Sequence, residues 1–110
     1  MLERWGDRFM RRFFTLAEQK QLRGRVERMA GLIACKEATS KALGLGLRGL
    51  GWKEMEILHA ITGKPMLRLN GRAAAQAASL GWFSTTVSMT HDAGVTAAVV
   101  VALGVSREPS

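Results

Sequence analysis

The sequence predicts a domain of the α+β class, in which an antiparallel sheet packs against a long helix. Apolar residues recur at helical spacing through the first 44 residues, whereas shorter β-forming or alternating runs, separated by turn residues, dominate the rest. At 110 residues the chain is near the commonest domain size, so we expect one domain over residues 1–110. Strands that follow one another in pairs favour α+β over a parallel α/β sheet.

Residues 1–14 are predicted to form a helix with a basic side and a neighbouring aromatic side. At helical spacing the basic side carries Arg4, Arg8, Arg11 and Arg12, and the aromatic side carries Trp5, Phe9 and Phe13. Such a helix could bind an acidic helix or a phosphate backbone through its arginines. Taken alone, the pattern is more typical of a solvated basic face on a helix that packs through its aromatic side.

A long helix is predicted over residues 16–44. Thr15 and Glu18 have the spacing of a capping box at its start. Gly44 and Gly46 stand at its end, and glycine past the last turn is the usual way for such a helix to stop.

One face of this helix is expected to carry an apolar stripe that is interrupted by a carboxylate. Its members, at spacings of three and four, are Val26, Met29, Ala30, Ile33 and Glu37. Lys41 lies one turn further along this face, and Lys36 and Ser40 flank it. The ordinary interpretation is a surface Glu37–Lys41 ion pair, which would contribute about 0.2–0.5 kcal/mol.

The second half of the chain is predicted to hold two hairpins around a short helix, after a glycine-rich connection at residues 45–51. The first hairpin has a strand at residues 52–61, a four-residue turn at 62–65 and a strand at 66–69 with Leu67 and Leu69 on one face. An alanine-rich helix at residues 72–80 is closed by Gly81.

The second hairpin is predicted from an alternating run and an apolar run. In the strand at residues 82–89, one side carries Phe83, Thr85, Val87 and Met89. A turn is expected at residues 90–94, with His91 at its start, and a buried apolar strand at residues 95–103.

The chain has 16 Lys and Arg against 9 Asp and Glu, a net charge of +7. This balance suits anionic partners, namely nucleic acid, phosphorylated cofactors, acidic proteins or membrane surfaces, without choosing among them. Two histidines and one cysteine exclude a zinc site of the Cys/His kind. The lone Cys35, among apolar neighbours, is expected to be an inert packed thiol and fits a reducing cytoplasm.

The longest apolar run, at residues 93–105, is too short to span a bilayer, and the charged N-terminal residues do not form a signal peptide. We therefore expect a soluble, cytoplasmic protein without a membrane span.

Several short motifs, in this order, resemble the holo-acyl-carrier-protein synthase family, the small group of the 4′-phosphopantetheinyl transferases. They are Phe14-Thr15 with Glu18, Lys36-Glu-Ala with Lys41-Ala-Leu-Gly44, Trp52-Lys-Glu-Met-Glu-Ile57, Gly63-Lys-Pro65 and Ser88-Met-Thr-His91. Each motif alone is weak, but their order and spacing together are specific over residues 4–103. The resemblance implies the 4′-phosphopantetheinyl transferase fold.

The resemblance also implies an enzyme of fatty acid and lipid biosynthesis. Such an enzyme transfers the phosphopantetheine arm of coenzyme A to a serine of apo acyl carrier protein, releases 3′,5′-ADP and uses Mg²⁺. By this resemblance Glu37 is a catalytic residue and a metal ligand, since Mg²⁺ typically takes one or two carboxylates beside phosphate and water. Lys41 is implied to bind the cofactor and to neutralise phosphate charge in the transition state. The group that accepts the serine proton stays open.

The remaining implied contacts with coenzyme A lie in a turn and at a strand end: Gly63, Lys64, Pro65, Ser88, Thr90 and His91. Judged from the residues alone, these positions fit an ordinary hairpin turn and a turn histidine. Arg4, Arg8 and Arg12 are implied to dock the acidic recognition helix of the carrier protein. The family commonly forms homotrimers with active sites between subunits, so a homotrimer is implied as well.

The sequence departs from the family pattern at three places. The family opens with a strand whose Gly-x-Asp segment supplies a second metal ligand; we expect this chain to lack that strand and to leave a sheet edge unpaired. Leu32 stands where a basic residue associated with coenzyme A phosphate is usual, and Leu45 replaces the threonine of Gly-Thr-Gly. These departures fit either a truncated start or a divergent member with weaker metal and cofactor binding.

Two other functions compete with the transferase. The first is a degenerate, non-catalytic module that binds the carrier protein, which the missing aspartate favours. The second is a small basic protein that binds nucleic acid, which rests on charge alone. The strands lack the aromatic pattern of single-strand binders and no helix-turn-helix signal is evident, so no nucleic-acid partner is expected.

Overall fold

The computed structural model describes residues 2–23, 25–44, 51–92 and 95–104, which form the predicted α+β architecture. The helices in these ranges are α1 (Leu2–Phe13), α2 (Leu16–Leu22), α3 (Val26–Ala42) and α4 (Gly71–Ser79). A 3₁₀ turn at Trp52–Glu54 precedes the strands β1 (Met55–His59), β2 (Pro65–Leu69), β3 (Trp82–Asp92) and β4 (Val95–Gly104). Across the described ranges, every helix is too short or too polar to cross a membrane. The predicted connection at residues 45–51, apart from Gly51, lies outside these ranges.

The start of α2 has the predicted capping box. Thr15 Oγ1 accepts a hydrogen bond from the Glu18 N–H at 3.1 Å, and the Thr15 N–H donates to Glu18 Oε1 at 2.9 Å. Glu18 is fully buried, which the capping pattern alone does not require.

The predicted long helix is divided into α2 and α3, so the prediction of one continuous helix is wrong. Arg23 ends α2 in the left-handed region, at φ 50°, and its N–H donates to the Gln19 carbonyl. The Arg25 N–H then donates to the Leu22 carbonyl at 3.0 Å, and α3 begins at the next residue. Apolar residues stand at helical spacing on both sides of the break, so periodicity did not reveal it.

The most buried face of α3 is rotated from the apolar stripe that the sequence shows, although Met29 and Ile33 of that stripe pack against the core. The most buried side chains of this helix are Leu32, Cys35, Lys36, Thr39 and Ser40. On the predicted face Met29 and Ile33 are half-buried, whereas Ala30 and Glu37 are exposed. The buried face includes an ion pair, in which Lys36 Nζ lies 2.9 Å from Glu18 Oε1 and both side chains are fully buried.

β1 and β2 form the predicted first hairpin, with Met55 opposite Leu69 and His59 opposite Pro65. The predicted strand at residues 52–61 is too long, because residues 52–54 form the 3₁₀ turn and the strand ends at residue 59. The connection therefore has five residues, 60–64, rather than four. Leu67 and Leu69 share the inward side of β2, as expected.

α4 lies one residue earlier than predicted and is capped from a distant part of the chain. The Glu54 carboxylate accepts hydrogen bonds from the N–H groups of Gly51, Arg72 and Ala73. A carboxylate at this end satisfies free N–H groups and complements the helix dipole. Burial acts to raise the pKa of Glu54, but these donors and the Arg72 guanidinium outweigh it and hold the pKa below its ordinary value.

β3 and β4 form a second antiparallel hairpin, longer than predicted. β3 continues to Asp92, which pairs with Val95, so the predicted turn at residues 90–94 is wrong and His91 lies in the strand opposite Thr96. Only residues 93–94, outside the described ranges, separate the two strands. Pairing with β4 keeps residues 90–92 in the extended conformation. Local composition does not reveal this pairing.

The alternation predicted for β3 holds except at its start. Val87 is buried and Thr85 and Met89 are half-buried, whereas Phe83 is 68% exposed. A register shift between Trp82 and residue 84 causes the difference, because an irregularity of this kind changes which side chain faces inward.

The two hairpins are separate two-stranded sheets, so the described strands do not form the single sheet that was predicted. Each strand has one edge without a strand partner among the described residues. The larger core cluster joins the α2–α3 region to both hairpins through Phe14, Leu22, Leu32, Cys35, Ile57 and Val87. Cys35 is a fully buried free thiol, as the prediction of a packed cysteine requires, and burial raises its pKa to about 11.

Candidate functional site

An open pocket of about 850 Å³ lies between the α2–α3 break, the β1–β2 turn and the later part of β3. Its apolar floor is formed by Leu22, Leu32, Ile57 and Met89. The pocket thus has an apolar base at the junction of three elements, which is a typical setting for a ligand site.

The rim of this pocket is basic. Lys20, Arg23, Arg25 and Arg28 line it, all four side chains are exposed, and its described lining residues include no aspartate or glutamate. The turn between α2 and α3 carries these cations to one side of the cavity. A concave cluster of cations attracts anions.

His59 lies in the wall of the pocket at the end of β1. Its N–H donates to Gln21 Oε1 at 2.7 Å and its carbonyl accepts from Gln21 Nε2 at 2.9 Å, so this amide pairs with the strand edge. Burial, and then the nearby Arg28, lower the pKa of the His59 imidazole below 6.5. At pH 7 the imidazole is therefore neutral, and the positive charge of the pocket comes from lysine and arginine.

Sequence reasoning identified neither the basic rim nor His59. A continuous helix through this region would have spread the four cations around its surface, whereas the break gathers them. The available signal was Gly24 between Arg23 and Arg25, since glycine inside a helical pattern can mark a helix end.

The predicted turn residues divide between the wall of the pocket and its surroundings. Gly63 lines the pocket, adopts φ 89°, and donates its N–H to the Ala60 carbonyl at 2.8 Å. A positive φ of this size favours glycine. Lys64 is exposed beside the pocket, and Pro65 is half-buried as the first residue of β2.

The predicted strand residues lie on β3. Thr90 lines the pocket, and Ser88, two residues earlier, is exposed on the same face of the strand. The backbone of His91 is paired opposite Thr96, and its side chain lies outside the described part of the structure.

Glu37 and Lys41 lie on α3 with exposed side chains. Within the described part of the chain, no hydrogen bond or salt bridge engages the Glu37 carboxylate or the Lys41 ammonium, so the ordinary surface ion pair is not formed. The Ser40 hydroxyl donates to the Glu37 backbone carbonyl at 2.8 Å and leaves that carboxylate free. Both charged groups are therefore open to a ligand.

The pocket and the Glu37–Lys41 pair face different directions around α3. Leu32 lines the pocket, and at about 100° per residue Glu37 lies about 140° around the helix from it. The structure thus brings Gly63 and Thr90 together but places Glu37 and Lys41 outside the wall of the pocket.

Glu37 fits a Mg²⁺ ligand by its chemistry. The described residues contain no group of three or more His, Cys, Asp or Glu side chains that could hold a metal. Mg²⁺ is usually bound by one or two carboxylates together with phosphate oxygens and waters, so a free exposed carboxylate is a suitable protein ligand.

α1 is attached by its aromatic side, as predicted. The Phe13 ring lies 4.6 Å from the Phe9 ring and 4.7 Å from the Trp52 ring of the 3₁₀ turn, between centroids. Arg8 and Arg12 are exposed, and the Arg12 guanidinium lies 5.7 Å from the Phe13 ring centroid. Arg4 lies in the same helix at matching spacing, with its side chain outside the described part.

The sequence is similar to those of 4′-phosphopantetheinyl transferases. A family model described as the 4′-phosphopantetheinyl transferase superfamily matches residues 1–100. The holo-[acyl-carrier-protein] synthase of Herpetosiphon aurantiacus is 41% identical over 110 residues, covering 94% of this chain and 87% of the relative. That of Solidesulfovibrio magneticus is 46% identical over 105 residues, covering 94% and 85%.

Solved structures share the fold. Helicobacter pylori holo-[acyl-carrier-protein] synthase in complex with coenzyme A aligns with a TM-score of 0.80 and 29% identity, covering 93% of this chain and 87% of that one. The Neisseria meningitidis enzyme aligns with a TM-score of 0.79 and 28% identity, covering 92% and 84%.

Proposed function

Because the chain belongs to the holo-acyl-carrier-protein synthase family of the 4′-phosphopantetheinyl transferase superfamily, we propose that it transfers the phosphopantetheine arm of coenzyme A to apo acyl carrier protein. The serine oxygen of the carrier forms a bond to the phosphorus of the phosphopantetheine arm, the pyrophosphate bond from that phosphorus to 3′,5′-ADP breaks, and the serine proton passes to water or to a carboxylate. The observation that carries the proposal is a basic pocket next to a helix that exposes the carboxylate of Glu37 and the ammonium of Lys41.

The pocket supports coenzyme A as the co-substrate. Four cations around an apolar floor suit a ligand that combines phosphate groups with less polar parts. Gly63 and Thr90 lie in this wall, and Lys64, Pro65, Ser88 and His91 complete the set that we propose for cofactor binding.

Glu37 and Lys41 are the groups that we propose for the chemical step. Glu37 would hold Mg²⁺, and this ion, when bound, supplies positive charge that neutralises phosphate oxygens. The Lys41 ammonium, exposed on the same helix, would stabilise negative charge that develops on the transferred phosphoryl group.

The basic side of α1 supports docking of an acidic carrier protein. The exposed Arg8 and Arg12 present guanidinium groups that can bind carboxylates in pairs of hydrogen bonds, and Arg4 continues the row. The aromatic contacts with Trp52 hold this helix against the domain so that its basic side stays outward.

A homotrimer is part of the proposal. The outward face of the β3–β4 hairpin leaves Phe83, Val101 and Leu103 exposed, which a second copy could cover. The separation of Glu37 from the pocket around α3 supports a site that a neighbouring copy completes.

We further propose a cytoplasmic role in fatty acid biosynthesis, in one domain over residues 1–110.

A non-catalytic module that binds the carrier protein is the alternative. The scarcity of metal ligands favours this alternative. In the described part of the chain, Glu37 does not belong to any group of three or more His, Cys, Asp or Glu side chains that could hold a metal ion.

The test combines purified protein, coenzyme A, Mg²⁺ and apo acyl carrier protein, and reads the carrier by intact mass spectrometry. We expect a gain of one phosphopantetheine arm, its loss with Glu37→Ala, and a fall of about 100-fold or more in rate with Lys41→Met. Lys53→Met, which changes another exposed lysine, is the matched control and should keep the wild-type rate. Carrier binding without any mass gain would contradict the transferase and support the binding module.

A further inference from the structure

The ion pair between Glu18 and Lys36 is not used by the proposed reaction. Both side chains are fully buried, and Lys36 Nζ lies 2.9 Å from Glu18 Oε1. Burial lowers the pKa of Lys36, and the Glu18 carboxylate opposes this effect. Apolar side chains of the same volume often stabilise a core at least as well as a buried ion pair, so stability alone is a weak reason for this one.

Every hydrogen-bonding group of the pair has a partner. Lys36 Nζ donates to Glu18 Oε1, to the Trp52 carbonyl at 2.8 Å and to the Met55 carbonyl at 2.7 Å. Glu18 Oε1 also accepts from the Thr15 N–H, and Glu18 Oε2 accepts from the Ile57 N–H at 2.9 Å. The pair therefore connects the start of α2, the middle of α3, the 3₁₀ turn and the edge of β1.

The apolar stripe that the sequence shows does not coincide with the fully buried face of α3. The apolar stripe in the sequence runs through Met29 and Ile33 towards Glu37, and burying that stripe would turn Glu37 inward. In the structure Met29 and Ile33 are only half-buried, and the fully buried face passes through Cys35 and Lys36 instead. Three directional hydrogen bonds on one ammonium fix a position in a way that apolar contact cannot.

We propose that Glu18 and Lys36 are a positioning pair that sets the rotation of α3 and thereby directs Glu37 and Lys41 outward. Glu37 follows Lys36 directly, so a buried Lys36 places Glu37 about 100° around the helix, on the exposed side. Lys41 lies one turn beyond Glu37 and is directed with it. The functional part of this inference rests on the proposed roles of these two residues, whereas the rotation does not.

The test uses the double variant Glu18→Gln/Lys36→Met, which keeps side-chain volume and leaves no unpaired buried charge. Rotation is read by thiol labelling resolved with tandem mass spectrometry, at the native Cys35 and at a cysteine introduced as Glu37→Cys. With the pair intact, Cys35 is buried and should label slowly, and position 37 is exposed and should label fast. In the double variant we expect Cys35 to label faster and position 37 to label slower, each by about threefold or more.

The labelling pattern separates rotation from simple destabilisation. Local unfolding would speed labelling at Cys35 without slowing it at position 37, and that result, or unchanged rates at both positions, would overturn the proposal. Should the double variant not fold, Glu18→Gln/Lys36→Gln carries the same measurement, since it also removes both charges and the amide at position 36 can still donate to the Trp52 or Met55 carbonyl. Lys53→Met is the control that should leave both rates unchanged.

Activity supplies a second reading. For this measurement the double variant keeps Glu37. Its kcat should fall by about tenfold or more, while the affinity of its pocket for coenzyme A stays close to that of the wild type. An unchanged kcat in an active protein would contradict the positioning role. If wild-type protein shows no transfer at all, the proposed function fails, and the labelling experiment still decides the rotation.

Discussion

At the scale of single residues, surroundings decide which side chains carry charge in the pocket. His59 stands among Lys20, Arg23, Arg25 and Arg28, and it is half-buried. The partial burial of the imidazole disfavours its charged form, and the nearby Arg28 cation disfavours it further, so its pKa lies below 6.5. The rim can therefore attract an anion through permanent charges while His59 contributes shape and a hydrogen-bonding ring.

We expect His59 in the folded protein to titrate below 6.5, as followed by NMR of the imidazole. Because the unfolded chain binds this proton more readily, the stability it contributes is complete above pH 6.5 and is lost as pH falls through the folded-state pKa. Arg28→Gln should raise the pKa only in part, since burial is the larger cause. A His59 pKa at or above 6.5 in the wild type would contradict this account.

At the scale of elements, helix ends organise the site. The break at Arg23 lets α2 and α3 turn, which gathers the basic rim, and Gln21 and Glu18 of α2 bind the free edge of β1. At the other end of the hairpin, Glu54 ties the N-terminus of α4 to Gly51, the last residue of the glycine-rich connection. Both devices act through backbone groups that would otherwise lack partners.

The left-handed backbone conformation of Arg23, at φ 50°, restricts which side chains this position can accept without strain. Asparagine tolerates this region, whereas a β-branched residue does not. We expect Arg23→Val to be less stable than Arg23→Asn by about 1–2 kcal/mol, measured by urea unfolding. Equal stability of the two variants would show that the break does not need a left-handed residue at this position.

The Glu54 cap should be visible in both mutation and pH. Glu54→Gln is expected to cost about 1 kcal/mol at neutral pH, as for loss of a helix cap. Since the folded-state pKa of Glu54 is depressed, its stabilisation is present above pH 4.5 and is lost as pH falls through that lower pKa; the variant should lack this part of the acid sensitivity.

Gly71 provides an independent check of the same cap. Its φ is 55°, and a Cβ there would lie 2.7 Å from Glu54 Oε1. Gly63 also has positive φ, but a Cβ there would meet nothing within 4 Å. Gly71→Ala should therefore destabilise more than Gly63→Ala in thermal unfolding, and an equal loss would mean that the carboxylate moves aside without cost.

At the scale of the whole molecule, the two hairpins are used differently. The β1–β2 hairpin has its free edge satisfied by side chains of α2 and α3 and forms one wall of the pocket. The β3–β4 hairpin packs one face on α3 and leaves the other face, with Val101 and Leu103, exposed to solvent. Exposed apolar side chains on a sheet face are a feature that protein interfaces often cover.

We expect the protein to form a homotrimer through this face, with a mass about three times 12.0 kDa by light scattering after size exclusion. Val101→Lys should reduce it to a monomer because a charge would be buried in the interface. Met66→Lys, which changes an exposed residue on the outer side of β2, is the control and should remain trimeric. A wild-type monomer would contradict the assembly.

The order of elements and many of their ends could be predicted because they depend on local chemistry. The capping box at Thr15 and Glu18, the β1–β2 hairpin, the alanine-rich α4 and the outward arginines of α1 follow from turn residues, caps and spacing. Glu37 and Lys41 were identified by resemblance and lie exposed on α3, and their roles stay predictions.

Tertiary contacts decided what local chemistry left open. The sequence by itself determined the α+β class, the basic charge and the motifs, since propensity, spacing and composition are properties of neighbouring residues. The burial of Lys36 and the gathering of four cations around one pocket depend on elements that are distant in the chain. Lys36 shows the reason most directly: a lysine is expected in water, and only the simultaneous arrival of Glu18 and the Trp52 and Met55 carbonyls makes its burial possible.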